Sequence, residues 1–432
     1  MTENKKFETQ VINNAILEKL SLKYRYTFLN SNLSSILSEE QFKFLQKVQQ
    51  FCLEFEEQNK ISHGSNEDIY NWMEPFGAEG YITRAHNFKF IDVDYSDWGL
   101  VPELLRYLAV DNFDPQFAMA IGATVLAVNP VYEHHENIPV RLEALKGMVT
   151  GKAVGGILIT EPERGSDAVH QLTTCEEQED GSFLLNGEKV FNTNVPKSQW
   201  VVAYATTEQN NASTMAQFLI NTSWDGWSCK RAGIPWTPKV FIGKEKLENL
   251  RVPKECVLGP VGKGREHLFE GLVPERIGIA IGAIAQCWGA ITHAAIYSSL
   301  RQQFKQEILK FQGVGFPLTD LWARTSNISF GILKFCESYD ELFNKYEGKI
   351  PPNVSRNMVL NASQFKYQAT NLSKEVCYEA ANLMGGAGLS DNTLMHDYVG
   401  ISRIQEIVGG SRQIQQYIMN GHLLSLNKRL LA

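Results

Sequence analysis

The sequence predicts an α+β protein with an N-terminal helical domain, a middle β-barrel or sandwich domain and a C-terminal four-helix bundle. Two changes of pattern carry this. Apolar residues keep helical spacing as far as about Ala153, and short strand-like runs replace them from about Val154. After G-P-V-G-K-G long helical stretches return and run to the end. The expected divisions are 1–37 as an N-terminal extension, 38–153 helical, 154–260 β and 261–432 bundle.

In the first helical part, Ser38 stands as a candidate N-cap, and Leu45, Val48, Phe51, Cys52 and Phe55 follow at helical spacing. A second helical stretch runs through V-P-E-L-L-R-Y-L-A-V to A-M-A-I-G-A-T-V-L-A-V. In the middle part, G-G-I-L-I-T, Q-W-V-V-A-Y-A and A-Q-F-L-I read as strands. S-F-L-L-N-G-E-K-V-F-N-T-N reads as two strand-like segments joined by an N-G turn. Leu272–Leu300, Leu318–Tyr346 and Arg356–Met384 have the length of bundle helices.

Composition narrows the function. The chain has 432 residues and a net charge of -7, so nothing favours nucleic acid or an anionic membrane. Seven cysteines without C-x-x-C or zinc spacing argue for a reducing compartment. The start, M-T-E-N-K-K-F-E-T-Q, lacks a signal peptide's apolar core, so a cytoplasmic location is expected. Ile277 to Tyr297 is long and apolar, but polar residues such as Gln286 and His293 interrupt it. It is read as a buried bundle helix rather than a membrane span.

The segment V-P-E-R-I-G-I-A-I-G sets Glu275-Arg276 at the start of that apolar run. A bare charge is costly to bury, and such a place raises a carboxylate's proton affinity. Glu275 is therefore a candidate general base. The bland alternative is an N-terminal helix acid after Pro274, stabilised by the dipole. Glu133, His134, His135 and Glu136 invite a metal reading, but adjacent helical residues do not face one site.

Five motifs in this order resemble the acyl-CoA dehydrogenase family of flavoproteins, over nearly all of the chain after about residue 38. I-T-E-P-E-R-G-S-D (159–167) is similar to the family's I-T-E-P-G-A-G-S-D, and the resemblance implies that Ile159, Thr160, Gly165 and Ser166 contact FAD. N-G-E-K-V-F-N-T-N (186–194) resembles N-G-x-K-x-[FW]-I-T-N. It implies Phe191 over the isoalloxazine and Thr193 near flavin N5; a hairpin with a core Phe is the alternative. R-Q-Q-F-K-Q-E-I-L-K-F-Q (301–312) resembles a segment that reaches a neighbouring subunit's FAD. It implies Arg301 on the pyrophosphate and Phe304 and Gln312 on the adenosine half. N-L-M-G-G-A-G-L (382–389) implies that Asn382, Gly385 and Gly386 approach the partner's FAD, while the family's downstream Arg-Asp is Gly400-Ile401 here.

The fifth motif, I-Q-E-I-V-G-G-S-R-Q-I-Q, implies Ser411 and Gln413 as FAD-binding and has Gly409 where many members carry the catalytic Glu. In members of the isovaleryl and long-chain type the base comes from a helix of the last domain, at the position of Glu275, with Arg276 in support. The implied reaction is α,β-dehydrogenation of an acyl thioester. Glu275 takes the α proton, flavin N5 takes the β hydrogen as hydride, and the Gly409 backbone N–H helps hold the thioester oxygen.

The implied partners are acyl-CoA or an acyl-carrier protein as substrate, an electron-transfer flavoprotein or other acceptor, and further copies of the chain in a homodimer or homotetramer. A flavin monooxygenase on the same fold and a non-catalytic flavin- or partner-binding bundle protein remain as alternatives. Glu163-Arg164, in place of the family's small pair, reads as a substrate-arm contact or a surface ion pair. Phe117, Met119 and Ile121 are the expected acyl-pocket region.

Overall fold

A computed structural model describes residues 11–61, 68–95, 97–348 and 350–430. Seven helices come first: α1 (Asn14–Lys19), α2 (Leu22–Leu33), α3 (Glu39–Asn59), α4 (Met73–Ala78), α5 (Leu100–Phe113), α6 (Pro115–Glu133) and α7 (Pro139–Val149). Ser38 caps α3 in a reciprocal capping box with Gln41, as the sequence predicts for its N-terminus. Asp114 caps α6 by accepting from the Phe117 N–H, with Pro115 in the first helical position.

Residues 11–37, expected as an extension, contribute to the helical core. Leu22, Tyr26, Leu29 and Leu33 of α2 are buried in it. The Tyr26 hydroxyl donates to the Ala109 carbonyl, and buried Arg25 donates to the carbonyl of Asn112. The pattern of α2 is only weakly amphipathic, so its sequence did not announce this docking.

Seven strands follow: β1 (Gly155–Leu158), β2 (Thr174–Glu177), β3 (Phe183–Thr193), β4 (Trp200–Thr206), β5 (Met215–Asn221), β6 (Trp227–Arg231) and β7 (Ile242–Val252). They form one mixed sheet. β4 runs parallel to β1 and antiparallel to β5, while β3 pairs antiparallel with β2 and β7. Phe218, Leu219 and Val201 pack with Val128, Leu145 and Met148 of the preceding helices in a second core.

The expected N-G turn is not a turn. Asn186 and Gly187 lie inside the single strand β3, at a bulge opposite β7. A Cβ on Gly187 would stand 2.4 Å from the Thr173 hydroxyl, so the glycine serves close approach rather than reversal. Asn186 accepts from the Asn249 N–H instead of turning the chain.

The C-terminal part comprises α8 (Gly264–Glu270), α9 (Leu272–Leu300), a short hairpin of β8 (Gln302–Gln303) and β9 (Gln306–Glu307), α10 (Gln312–Lys345), α11 (Pro352–Met384), α12 (Met395–Ile407) and α13 (Arg412–Leu430). The segment Gly264–Leu300 is long and apolar enough to cross a membrane, yet 83% of its most apolar window is buried in protein. It is the centre of the bundle, packed by α11, α5 and α10. Gly400 explains the missing Arg-Asp pair: a Cβ there would meet the Trp236 carbonyl at 2.3 Å, and Ile401 beside it is fully buried. An arginine at 400 would have to displace that backbone.

Candidate active site

The first two motifs are joined by a buried ion pair. Lys189 Nζ lies 3.0 Å from Glu161 Oε1, with both side chains out of water. Glu161 also accepts from the Leu172 and Thr173 N–H groups. Burial pushes its carboxyl up, but Lys189 and these hydrogen bonds outweigh burial and hold it below the ordinary carboxylate range. Burial brings the Lys189 ammonium down to about 8, against the upward pull of Glu161. The Val190 N–H donates to the Thr160 carbonyl. The loop with Ile159, Thr160, Gly165 and Ser166 is thus fastened to the strand with Phe191 and Thr193.

Phe191 is not a core residue. It sits at a second bulge of β3 with φ 64°, and 61% of it is exposed. A Cβ added at Gly165 would meet nothing within 4 Å. An uncovered aromatic and an open glycine, on two segments tied together by the Lys189–Glu161 pair, fit a planar ring system such as a flavin. Arg164 does not pair with Glu163 as a surface ion pair. Its guanidinium donates to the His170 and Glu163 carbonyls and to Asn210 Oδ1.

The third and fourth motifs lie elsewhere on the chain. The β8–β9 hairpin turns at Phe304 and Lys305, both at positive φ, as a tight two-residue loop requires. Phe304 is 89% exposed, and Arg301 and Gln312 are exposed with it. Asn382, Gly385 and Gly386 form an exposed end of α11, where Cβ atoms on either glycine would again meet nothing. None of these residues lines the cavity that holds Glu275.

Glu275 lies in the first turn of α9 and lines a cavity of about 360 Å³. Leu126, Ile157, Ile159, Tyr204 and Gln217 are among its walls, so the cavity joins all three parts of the chain. Burial pushes the Glu275 carboxyl above the ordinary range, and Arg276 and Lys366 pull it back. Arg276 is itself buried and donates to Ser363 Oγ at 3.1 Å.

Gly409 faces Glu275. A Cβ there would lie 3.3 Å from Glu275 Oε1 and 2.3 Å from Ile279 Cδ1, and its φ is 63°. Only glycine fits both the space and the backbone. Gln415 donates to the Gly409 and Gly410 carbonyls, and Lys366 donates to the Gly410 carbonyl at 2.6 Å. Ser411 is half-buried beside this turn, and Gln413 is exposed on the first turn of α13.

The expected pocket residues Phe117 and Ile121 are fully buried in the helical core, Phe117 edge-on to Trp72 and Phe76. Neither they nor Met119 lines the cavity, which meets the same helix further along, at Leu126, Asn129 and Glu133. Glu133 and His134 both line it, because His134 is the C-cap and leaves the helical rotation. Among the described residues no group of His, Cys, Asp or Glu is arranged to hold a metal.

Tyr204 and Gln217 were missed by the sequence reading. They are cross-strand neighbours, and Gln217 Nε2 donates to the Tyr204 hydroxyl at 2.6 Å.

The family model "Acyl-CoA dehydrogenase, middle domain" matches residues 156–236, and "Acyl-CoA dehydrogenase, C-terminal domain" matches 262–424. The chain belongs to the acyl-CoA dehydrogenase family. It is similar to a short-chain-specific acyl-CoA dehydrogenase of Megasphaera elsdenii, 27% identical over 74% of this chain and 82% of that one. The butyryl-CoA dehydrogenase structure from the same organism superposes with a TM-score of 0.77 at 23% identity, covering 90% of this chain and 99% of that one. A prolyl acyl-carrier-protein oxidase shares the fold equally, with a TM-score of 0.77 at 20% identity and coverage of 90% and 99%.

Proposed function

We propose that this protein is an FAD-dependent dehydrogenase that introduces an α,β double bond into an acyl thioester, with Glu275 as the base. It is an oxidoreductase acting on CH–CH groups, of acyl-CoA dehydrogenase type. The observation that carries the reading is the placement of Glu275. Its carboxyl opens on a cavity shared with Ile159 of the flavin loop and faces a glycine where a side chain would collide with it.

FAD, when bound, supplies the acceptor for the β hydrogen and its electron pair. Ile159, Thr160, Gly165, Ser166, Phe191 and Thr193 would hold its ring end. Ser411 and Gln413 of the same chain would hold the diphosphate and ribityl region. Arg301, Phe304, Gln312, Asn382, Gly385 and Gly386 would serve the FAD of a second copy.

Glu275 removes the α proton, and the C–H electron pair becomes the new π bond as the β hydrogen leaves. A carboxylate raised by burial is a stronger base for this task than an exposed one. The Gly409 N–H, in a turn held by Gln415 and Lys366, is the backbone donor for the thioester oxygen.

The exposure of Phe304 (89%) and Leu389 (83%) in the single chain supports a homo-oligomer. The electron acceptor proposed is an electron-transfer flavoprotein. The thioester carrier, CoA or an acyl-carrier protein, is read out by offering both kinds anaerobically and following flavin absorbance. Bleaching by one kind assigns the carrier. Bound flavin that no thioester bleaches, combined with rapid reaction of reduced enzyme with oxygen, supports a monooxygenase instead.

A further inference from the structure

We infer that Lys366 is a positioning residue that holds the Gly409 turn against the proposed base, Glu275. This rests on the reading of Glu275 as base. Lys366 lies on α11 with none of its surface exposed. A fully buried lysine is rare and costly, and here it has no carboxylate hydrogen-bond partner among the described residues. Its ammonium donates to two backbone carbonyls, Gly410 at 2.6 Å and Glu406 at 3.3 Å. These are the end of α12 and the turn that follows it, so one side chain ties α11 to the segment that carries the Gly409 N–H.

The same ammonium is an electrostatic neighbour of Glu275 across the bundle. A cation there favours the ionised carboxylate, against the burial that favours the acid. Arg276 on α9, Glu406 on α12 and Tyr204 on β4 bear on the pair, and His86, Glu133, His134, His267 and Glu270 share the cavity that Glu275 lines. The Glu406 carboxylate is engaged by Lys374 and Arg403, at 2.7 Å each. Only its carbonyl is left to Lys366. Gln415 holds the other side of the turn, so the Gly409 and Gly410 carbonyls are held from two elements.

The lysine also carries a consequence for pH. Burial lowers the ammonium to about 8, while Glu275 pulls it upward. Above that pH the clamp loses its charge and weakens its bonds to the carbonyls. An arginine keeps its charge throughout.

The test compares wild type with Lys366→Met, Lys366→Arg and Glu275→Gln, each as the flavin-loaded full chain. Two quantities are read: FAD content, and the rate of anaerobic flavin bleaching by the best thioester between pH 5.5 and 10. Lys366→Met is expected to retain FAD and to keep its half-saturating thioester concentration within about two-fold. Its bleaching rate should fall roughly ten-fold or more, the equivalent of one pKa unit. Its acid limb should move to higher pH, because the cation favouring ionised Glu275 is gone.

Lys366→Arg should recover part of the rate and lose the wild-type decline above about pH 8, and it tests the inference if the Met variant does not fold. An unchanged rate and acid limb in Lys366→Met, or an unchanged alkaline limb in Lys366→Arg, overturns the role of Lys366. If Glu275→Gln also bleaches at the wild-type rate, the reading of Glu275 fails as well. Inactive Glu275→Gln beside wild-type-like Lys366 variants removes only Lys366.

Discussion

A Cβ on Gly409 would sit 3.3 Å from the Glu275 carboxylate, so the two positions cannot both carry a long side chain in this backbone. Glycine at 409 and glutamate at 275 are one arrangement. Gly409→Ala should therefore disturb the base directly. With φ at 63° and Ile279 Cδ1 2.3 Å from the new methyl, roughly 1–3 kcal/mol of stability is expected to be lost. Flavin bleaching should slow by at least about ten-fold. Urea unfolding and single-turnover absorbance check the two effects separately, and a variant with wild-type rate would show that the turn does not constrain the base.

Lys189 and Glu161 hold the 159–167 loop, the proposed flavin contact, to β3. Lys189→Met leaves the Glu161 carboxylate buried without its cation, a change that costs roughly 3–5 kcal/mol where such pairs are broken. The loop carrying Thr160 and Ser166 should loosen and FAD affinity should fall. Denaturation and flavin titration are the measurements, and unchanged flavin affinity in a folded variant would detach this pair from cofactor binding.

The raised Glu275 carboxyl has a stability signature. Its folded-state value lies above its unfolded value. The stability it contributes is fully present below the unfolded value and is lost as pH rises through the folded one. At pH 7, above the unfolded value, the carboxyl is therefore a burden to the folded state. Glu275→Gln is expected to melt at a higher temperature than wild type at pH 7, with the difference shrinking toward pH 4. Equal or lower melting at pH 7 would mean that Arg276 and Lys366 more than offset the cost of burial.

Phe304 projects from the hairpin tip with almost all of its surface free in the single chain. If it reaches a second copy's cofactor, Phe304→Ser should lower both FAD occupancy and the sedimentation coefficient while the isolated fold persists. A variant that assembles and stays fully flavinylated would place the subunit contact elsewhere.

The helices and strands were legible because their patterns repeat. α9 runs from Leu272 to Leu300, the very span its apolar run implies, and Ser38 marks the start of α3. The N-G pair misled because its glycine makes room for Thr173, a residue that sequence spacing does not bring near it. The cavity walls Tyr204 and Gln217 were hidden for a similar reason: strand register puts them side by side, and periodicity alone does not give register. Lys366 was readable in principle. It interrupts the buried stripe of Met358, Ala362, Ala369 and Val376 on α11, where a lysine is out of place unless it has work to do. Glu275 stood out because its place at the start of an apolar run and the glycine at 409 point to the same chemistry.

The most direct measurement is anaerobic flavin bleaching by a thioester in wild type and in Glu275→Gln, with FAD content determined in both. Bleaching in wild type and a loss of roughly 10²–10⁴-fold in the variant, with FAD still bound, is the result expected of the catalytic base. Bleaching of the variant at the wild-type rate would contradict it.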